Sequence, residues 1–487
     1  MRRLSLILLA VYISVALAAV FSMPLDAQSS QPSDTSSAGK LTLSTSSPAA
    51  KEEFWKGMED WQTGSYTSGT RHFARAYALD NTFALAHVFS MGEYNAREHP
   101  AERDRAVGDA ARQSTQEGLL ALFWREKSIG NADGMRAILR AAMQVMPKEP
   151  SIAVEYLWLS TGDSKLAKVA LDSAAALRSR FPNYTPLAFP VRYLVLATGD
   201  TASALRASEE YTRIAPRSAA AFGDYGFFLQ QLGRYDEAEA QYRKGMALGA
   251  HPDYGWDPAG SLAEMLVMRG RYTDARAVTT EALGRAKDAG DSALYMAELA
   301  GTYFATGENR RGVQLLEQAQ QKSPTVGSGQ NPQPLDYLLA EANAISGDLN
   351  AMRSYLARRR PVTPVDSAIL VANYAFGYAY AGQVDSAIAY SDRLAKITSV
   401  PWTGPWSHRG RGVALAIGKQ CSRARSELVQ AADTASPQVR LARADCEMQM
   451  GNRAAALALR DQAMASFDFQ IYDPASVRER VRLAAMK

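Results

Sequence analysis

Cys421 and Cys446 are the only thiols in the chain. Cys421 opens the second helix of one expected helix pair, and Cys446 lies in the first helix of the next, so neighbouring helices carry them. In an oxidising compartment they could bridge, and closing a loop of this length is worth ~3.5 kcal/mol. As free thiols they would serve as small buried fillers; the sequence leaves both readings open. The histidines, His72, His87, His99, His251 and His408, share no metal-ligand spacing. Acidic neighbours such as Glu52 and Glu53 read as solvated helix faces rather than acid/base dyads. Gly418-Lys419 is followed by Gln420 and lacks the upstream glycine of a phosphate loop. Gly410-Arg411-Gly412 lacks the third glycine of a dinucleotide loop, and there is no nucleophile elbow. No catalytic residue, metal or cofactor is expected, and the chain reads as a non-enzyme.

What remains is chemistry of contact. Residues 398–412, TSVPWTGPWSHRGRG, place Trp402, Trp406, His408 and Arg409 in one turn-rich stretch. A second set of aromatics, Trp124, Tyr156, Phe189, Tyr193, Phe227, Phe376 and Tyr380, falls at related positions along the chain. Aromatics supply large contact area at modest entropic cost, which suits a peptide or apolar ligand. At helical spacing they serve equally well as packing.

A repeat must position these residues. One local phrase recurs beyond residue 51, as in QLGRYDEAEAQYRKGMALG with Gly233, Tyr235, Ala238 and Tyr242, and in MRGRYTDARAVTTEALG with Gly270, Tyr272 and Ala275. The same phrase is anchored at Gly64, Gly130, Gly162, Gly199, Gly307, Gly347, Gly382, Gly418 and Gly451, with a mean step of about 36 residues, the signature of a stacked-repeat architecture. An amphipathic stretch of about a dozen residues precedes each glycine, which ends that helix in a left-handed cap. A second helix follows. One unit cannot bury its apolar face alone, so units must stack.

The phrase resembles the tetratricopeptide repeat, best over residues 51–86 and 217–285 and loosely over 51–465. Asn309, Leu349 and Val384 depart from the usual aromatic after the glycine, and HPAERD replaces the turn glycine in residues 84–115. The resemblance implies an all-α, right-handed superhelical solenoid of about 11–12 antiparallel helix pairs. It also implies that the first helix of each unit lines a concave groove. Positions six residues before the turn glycines then face inward: Trp124, Tyr156, Tyr193, Phe227, Glu264, Gly301, Glu341 and Phe376. The family's carboxylate clamp needs Lys and Asn on this face and is absent, so chaperone C-terminal tails are not the expected ligand.

The ends of the chain carry different information. Met1-Arg2-Arg3 precedes an uncharged run from residue 4 to 23, then Pro24 and a small residue at Ala27. This reads as a cleaved signal peptide over 1–27; its length also suits a retained anchor. Residues 28–50 are rich in Ser and Thr and are expected to be a flexible linker. Residues 466–487, with Asp473-Pro474 as a helix start and charged VRERVR after it, are expected to cap the solenoid end. Lys and Arg number 54 against 50 Asp and Glu, a net charge of +4 with no footprint for nucleic acid. The expectation is an exported, periplasmic or cell-envelope scaffold for a protein or peptide, with membrane contact only through an uncleaved anchor. A structural envelope component that binds through its outer loops, or a small-ligand or glycan binder, are the alternatives.

Overall fold

The computed structural model describes residues 39–486, except 64–65, 93–94, 97–98, 162–163, 183, 250–256, 327–332, 432–435 and 465–470. The leader over 1–27 and the first part of the linker lie outside the described residues. Twenty-five helices are described, and the first twenty-four stack as twelve pairs. The pairs are α1 (Pro48–Gln62) with α2 (Tyr66–Leu79), α3 (Ala84–Ser90) with α4 (Pro100–Gln113), α5 (Thr115–Ser128) with α6 (Ala132–Val145), and α7 (Pro150–Leu159) with α8 (Ser164–Arg180). They continue with α9 (Ala188–Ala197) and α10 (Thr201–Ile214), α11 (Ala219–Gln231) and α12 (Tyr235–Ala247), α13 (Pro258–Met268) and α14 (Tyr272–Gly284), and α15 (Ala289–Phe304) and α16 (Asn309–Lys322). The last four are α17 (Leu335–Ile345) with α18 (Leu349–Arg358), α19 (Pro364–Tyr380) with α20 (Val384–Ala395), α21 (Thr403–Ile417) with α22 (Cys421–Gln430), and α23 (Pro437–Gln449) with α24 (Arg453–Met464); α25 (Pro474–Ala485) follows alone. The architecture is an all-α solenoid. Two two-residue strands, Thr325–Val326 and Gln333–Pro334, are its only sheet among the described residues.

Local chemistry starts and stops these helices. Pro48, Pro258, Pro364 and Pro474 occupy first-turn positions behind Ser47, Asp257, Thr363 and Asp473, whose side chains accept from the exposed N–H groups of the first turn. At the other end, Arg234 N–H donates to Leu229 O at 2.9 Å and Arg271 N–H to Leu266 O at 2.8 Å, closing the helix around a left-handed Gly233 or Gly270. Gly130, Gly199, Gly307, Gly347, Gly382 and Gly451 do the same, while Gly64 and Gly162 lie outside the described residues.

Gly418 departs from this register. The left-handed residue there is Lys419, at φ 59°. A Cβ on Gly418 would lie 2.7 Å from Val384 Cγ2. The glycine is needed for close packing, and the lysine carries the turn.

Three further expectations are corrected. The linker expected to reach residue 50 gives way to packed chain from Gly39: Leu41, Leu43 and Thr45 are buried. Glu117 Oε1 accepts from Ser44 N–H at 2.6 Å, Glu149 Oε2 from Leu41 N–H at 3.2 Å, and Gln116 Oε1 from Thr42 N–H at 2.7 Å. Two leucines at alternate positions give this strap an apolar face that Ser/Thr content conceals. The stretch 398–412 is a loop only as far as Trp402, because Thr403 onward is helix α21. Two of its glycines serve helix crossings: a Cβ on Gly410 would meet Ser391, and one on Gly412 would meet Leu428. Finally, α25 does more than cap the end. It packs on α23 and α24 but also reaches the inner faces of α13, α15 and α17.

The apolar core is not continuous. One cluster runs from Leu41 to Ile152 and a larger one from Leu229 to Val477. Between them, α9–α11 pack around a buried ion pair, Arg192 with Asp224, both fully enclosed.

Candidate functional site

The aromatic series does not form an open ladder. Trp124 is fully buried, stacked on Phe89 at 4.6 Å and edge-on to Trp61 at 4.5 Å. Tyr156 is half-buried against the same N-terminal core. Phe189 and Tyr193 both pack on Trp158, at 5.1 and 5.2 Å. They also enclose Arg192, whose guanidinium carbon lies 4.0 Å from the Phe189 ring centre, 4.7 Å from Tyr193 and 4.8 Å from Tyr211. The Tyr193 hydroxyl donates to Asp224 Oδ1 at 2.8 Å. Phe227 is buried beside Phe228. These first helices are apolar around most of their circumference, so both faces are claimed by neighbouring helices. As contact residues for a ligand, Trp124, Phe189 and Phe227 are corrected to core.

The inner surface of the first units holds a different concavity, of about 160 Å³, between the ends of α1, α5 and α7. Trp61, Phe123 and Trp158 wall it, and Lys127 and Glu155 supply its charge. Lys127 Nζ stands 4.5 Å from the Trp61 ring centre and 3.9 Å from Glu155 Oε2. Behind them, Gln62 Nε2 donates to Ser151 O at 2.7 Å, and Tyr184 Oη donates to Gln62 Oε1 at 2.6 Å. Burial pushes the Tyr184 phenol well up, so it stays a donor. Aromatic walls with one ammonium and one carboxylate can hold an amphipathic side chain. They contain no nucleophile paired with a base.

The inner surface of the C-terminal half is occupied by the chain itself. Ile471 N–H donates to Glu264 Oε1 at 3.0 Å. The Ile471 carbonyl lies where a Cβ on residue 301 would be, so only Gly301 admits the segment. Burial and the neighbouring Asp473 and Glu479 carboxyls favour the protonated form of Glu341 on α17. The Tyr380 hydroxyl donates to Glu479 Oε1 at 2.9 Å, and Arg480 Nη1 donates to Ala463 O at 2.7 Å. Glu264, Gly301 and Glu341 are inward positions of the repeat; Asp473 was expected only as a helix start, and Glu298 and Glu479 were not singled out by the sequence.

Electrostatics here are unusual. Burial pushes Glu264 up to about 8, against the pull of the Ile471 N–H and Arg480. Burial also lifts Glu479 to about 8 and Asp257 to about 6. Glu298 and Glu341 sit well above the carboxylate range through burial and neighbouring acids. Glu264, Glu298, Glu341 and Glu479 are held largely as neutral acids near pH 7, whereas Asp257 is mostly ionised there.

Phe376 and the aromatic pair on α21 lie nearby. Trp402 and Trp406 are in contact at 4.9 Å, Phe376 meets Trp406 edge-on at 5.9 Å, and Arg409 lies 5.4 Å over Phe376. Tyr380 is buried under α25. His408 Nδ1 is 2.8 Å from Glu427 Oε2, which Arg411 Nε also approaches at 2.9 Å. Cys421 on α22 and Cys446 on α23 form a disulfide with Cα atoms 5.1 Å apart. Among the described residues no group of His, Cys, Asp and Glu is arranged to hold a metal ion. No helix among them is long and apolar enough to cross a membrane.

Paired helices, left-handed glycine turns and a period of about 36 residues define a helical-repeat solenoid. Its helix pairs, turns and period are similar to those of the tetratricopeptide repeat. No protein-family model matches the chain, and the search of curated proteins found no match. Among solved structures it is similar to a thermophilic TPR protein of Thermus thermophilus, at 23% identity over 37% of this chain and 96% of that one, with a TM-score of 0.31. It is also similar to yeast Tom70, at 12% identity over 90% and 95% of the two chains, TM-score 0.39. The human IFIT1 dimer with PPP-AAAA is similar at 13% identity over 87% and 95%, TM-score 0.38.

Proposed function

We propose that this chain is an exported, non-catalytic scaffold that holds a protein or peptide partner on the inner face of its N-terminal units. The observation that carries the reading is the concavity walled by Trp61, Phe123 and Trp158 with Lys127 and Glu155 at its edge. Its mixed character suits a partner side chain with an apolar body and a polar tip. A net charge of +4, from 54 Lys and Arg against 50 Asp and Glu, offers no large electrostatic footprint for nucleic acid as the partner. Export is supported by the leader over residues 1–27 and by the Cys421–Cys446 bridge, since disulfides persist in oxidising compartments.

The test is retention of a partner from native envelope extract by the full chain, compared with Lys127→Glu and Trp158→Phe variants. Losing an anchor contact weakens binding by roughly 1–3 kcal/mol. Equal retention by all three proteins would remove the concavity as the contact. Export is tested separately: residues 1–50 fused to a reporter active only outside the cytoplasm should give activity, and mass spectrometry of the mature N-terminus separates cleavage after Ala27 from a retained anchor.

A further inference from the structure

The faces of α13, α15, α17 and α19 that carry Glu264, Gly301, Glu341 and Tyr380 are covered by the chain's own C-terminal segment. Residues 471–485 enter over Gly301, run along Glu264 and Glu341, and finish against Leu441 and Ala463. Ile471, Ala475 and Val477 bury fully in the main core cluster, but the contacts that fix the segment's register are polar. We propose that this face is a second peptide-binding groove, for a basic amphipathic segment, and that the chain's own residues 471–485 occupy it as a removable internal ligand. The site is separate from the N-terminal concavity and stands or falls without it.

The charges on both sides support this. The groove presents Asp257 and Glu264 from α13, Asp291, Tyr295 and Glu298 from α15, Glu341 from α17 and Tyr380 from α19. Its cation is Arg409 from α21, and Asp445 from α23 pairs with Arg482 at 2.7 Å. Opposite them the segment carries Tyr472, Asp473, Arg478, Glu479, Arg480 and Arg482. Vacated, the face is strongly anionic and selects a cationic partner. Occupied, it holds more acids than bases. Glu298 Oε2 and Glu479 Oε2 are buried without a hydrogen-bond partner among the described residues, which a neutral carboxyl tolerates better than a charge.

The sign of the pH dependence follows. Docked, Glu264 and Glu479 hold their protons up to about pH 8. Released, they return toward ordinary carboxylates, which lose theirs near pH 4.3. Docking therefore takes up protons, is strongest at acid pH, and weakens as pH rises through neutrality. Each proton taken up costs the docked state about tenfold per pH unit, so two give roughly a hundredfold.

The experiment uses the full chain with a protease site placed in residues 465–470 and a fluorophore on Lys487. After cleavage the segment is held by its contacts alone. Retention at pH 5.5 and release at pH 8, with the helical signal of the remaining chain unchanged, is the expected result. Glu264→Gln with Glu479→Gln should flatten the pH response. Gly301→Ala in the uncut chain should expose residues 471–485 to proteolysis at pH 5.5, where the parent is protected. The cation preference is read with a synthetic peptide of residues 470–487 carrying Asp473→Asn and Glu479→Gln. It should bind the uncut parent at pH 8, more tightly at low salt, and be excluded at pH 5.5. Equal retention of the segment at both pH values, unfolding on its release, or no binding of the peptide at pH 8 would overturn the proposal.

Discussion

Asp224→Asn is the sharpest probe of what the central aromatics do. Asp224 and Arg192 pair with both side chains fully enclosed, and Arg192 also donates to the Phe189 carbonyl. Its guanidinium is boxed by the rings of Phe189, Tyr193 and Tyr211. Asparagine keeps the shape and removes the charge. The guanidinium then stays buried without its counter-ion, which costs about 3–5 kcal/mol. A long repeat array need not unfold in one step, so global melting is the wrong readout. Amide exchange resolved to α9, α10 and α11 is the right one, and protection there should fall roughly a hundred- to a few thousand-fold. The paired change Arg192→Met with Asp224→Leu removes both charges and should recover most of the loss, since replacing a buried pair by apolar residues is often neutral or stabilising. A loss below about 1 kcal/mol for Asp224→Asn, the range of exposed pairs, would mean that water reaches this site. The assignment of Phe189 and Tyr193 to packing would then fail.

Four further changes test the packing elsewhere. Lys419→Gly relieves a left-handed non-glycine residue and should stabilise its unit by about 1 kcal/mol in thermal melts, whereas Gly418→Ala, one residue earlier, should destabilise it because of Val384. Reducing the Cys421–Cys446 bridge opens a loop of 25 residues and should cost ~3.5 kcal/mol, read as lost exchange protection confined to α21–α24. Gly226→Ala places a Cβ 2.8 Å from the Tyr242 ring and should cost about 1–3 kcal/mol, measured by denaturant titration.

Periodicity made the architecture legible because each unit repeats the same problem of burying two helices. Turn glycines, the first-turn Pro474 and the repeat positions Ala238 and Tyr242 could be read from local spacing, and Ala238 and Tyr242 are fully buried. The inward register was legible too, for Glu264, Gly301 and Glu341 all meet the C-terminal segment. Their chemistry was not. Aromatics at that register drew attention, yet an aromatic between two helix layers is consumed by packing. A glutamate there cannot be, and it needs an occupant or a proton. The signal was present as single acids inside the apolar runs SLAEMLVM and LDYLLAEANAI. Sequence spacing alone could not bring residue 471 to residue 264. Nor could it separate a turn glycine from a packing glycine at Gly418, since both roles ask for the same missing side chain.

The tie between Ile471 and Glu264 spans 207 residues, whereas the turns and helix pairs of the solenoid form between near neighbours. Local contacts close early and distant ones late. As the chain emerges from its N-terminus, α13, α15 and α17 stack long before residue 471 exists, and their inner acids remain hydrated and charged in the meantime. Residues 471–485 supply the segment that later covers them. Until residues 471–485 dock, the partly made chain displays an open acidic furrow on an already stacked body.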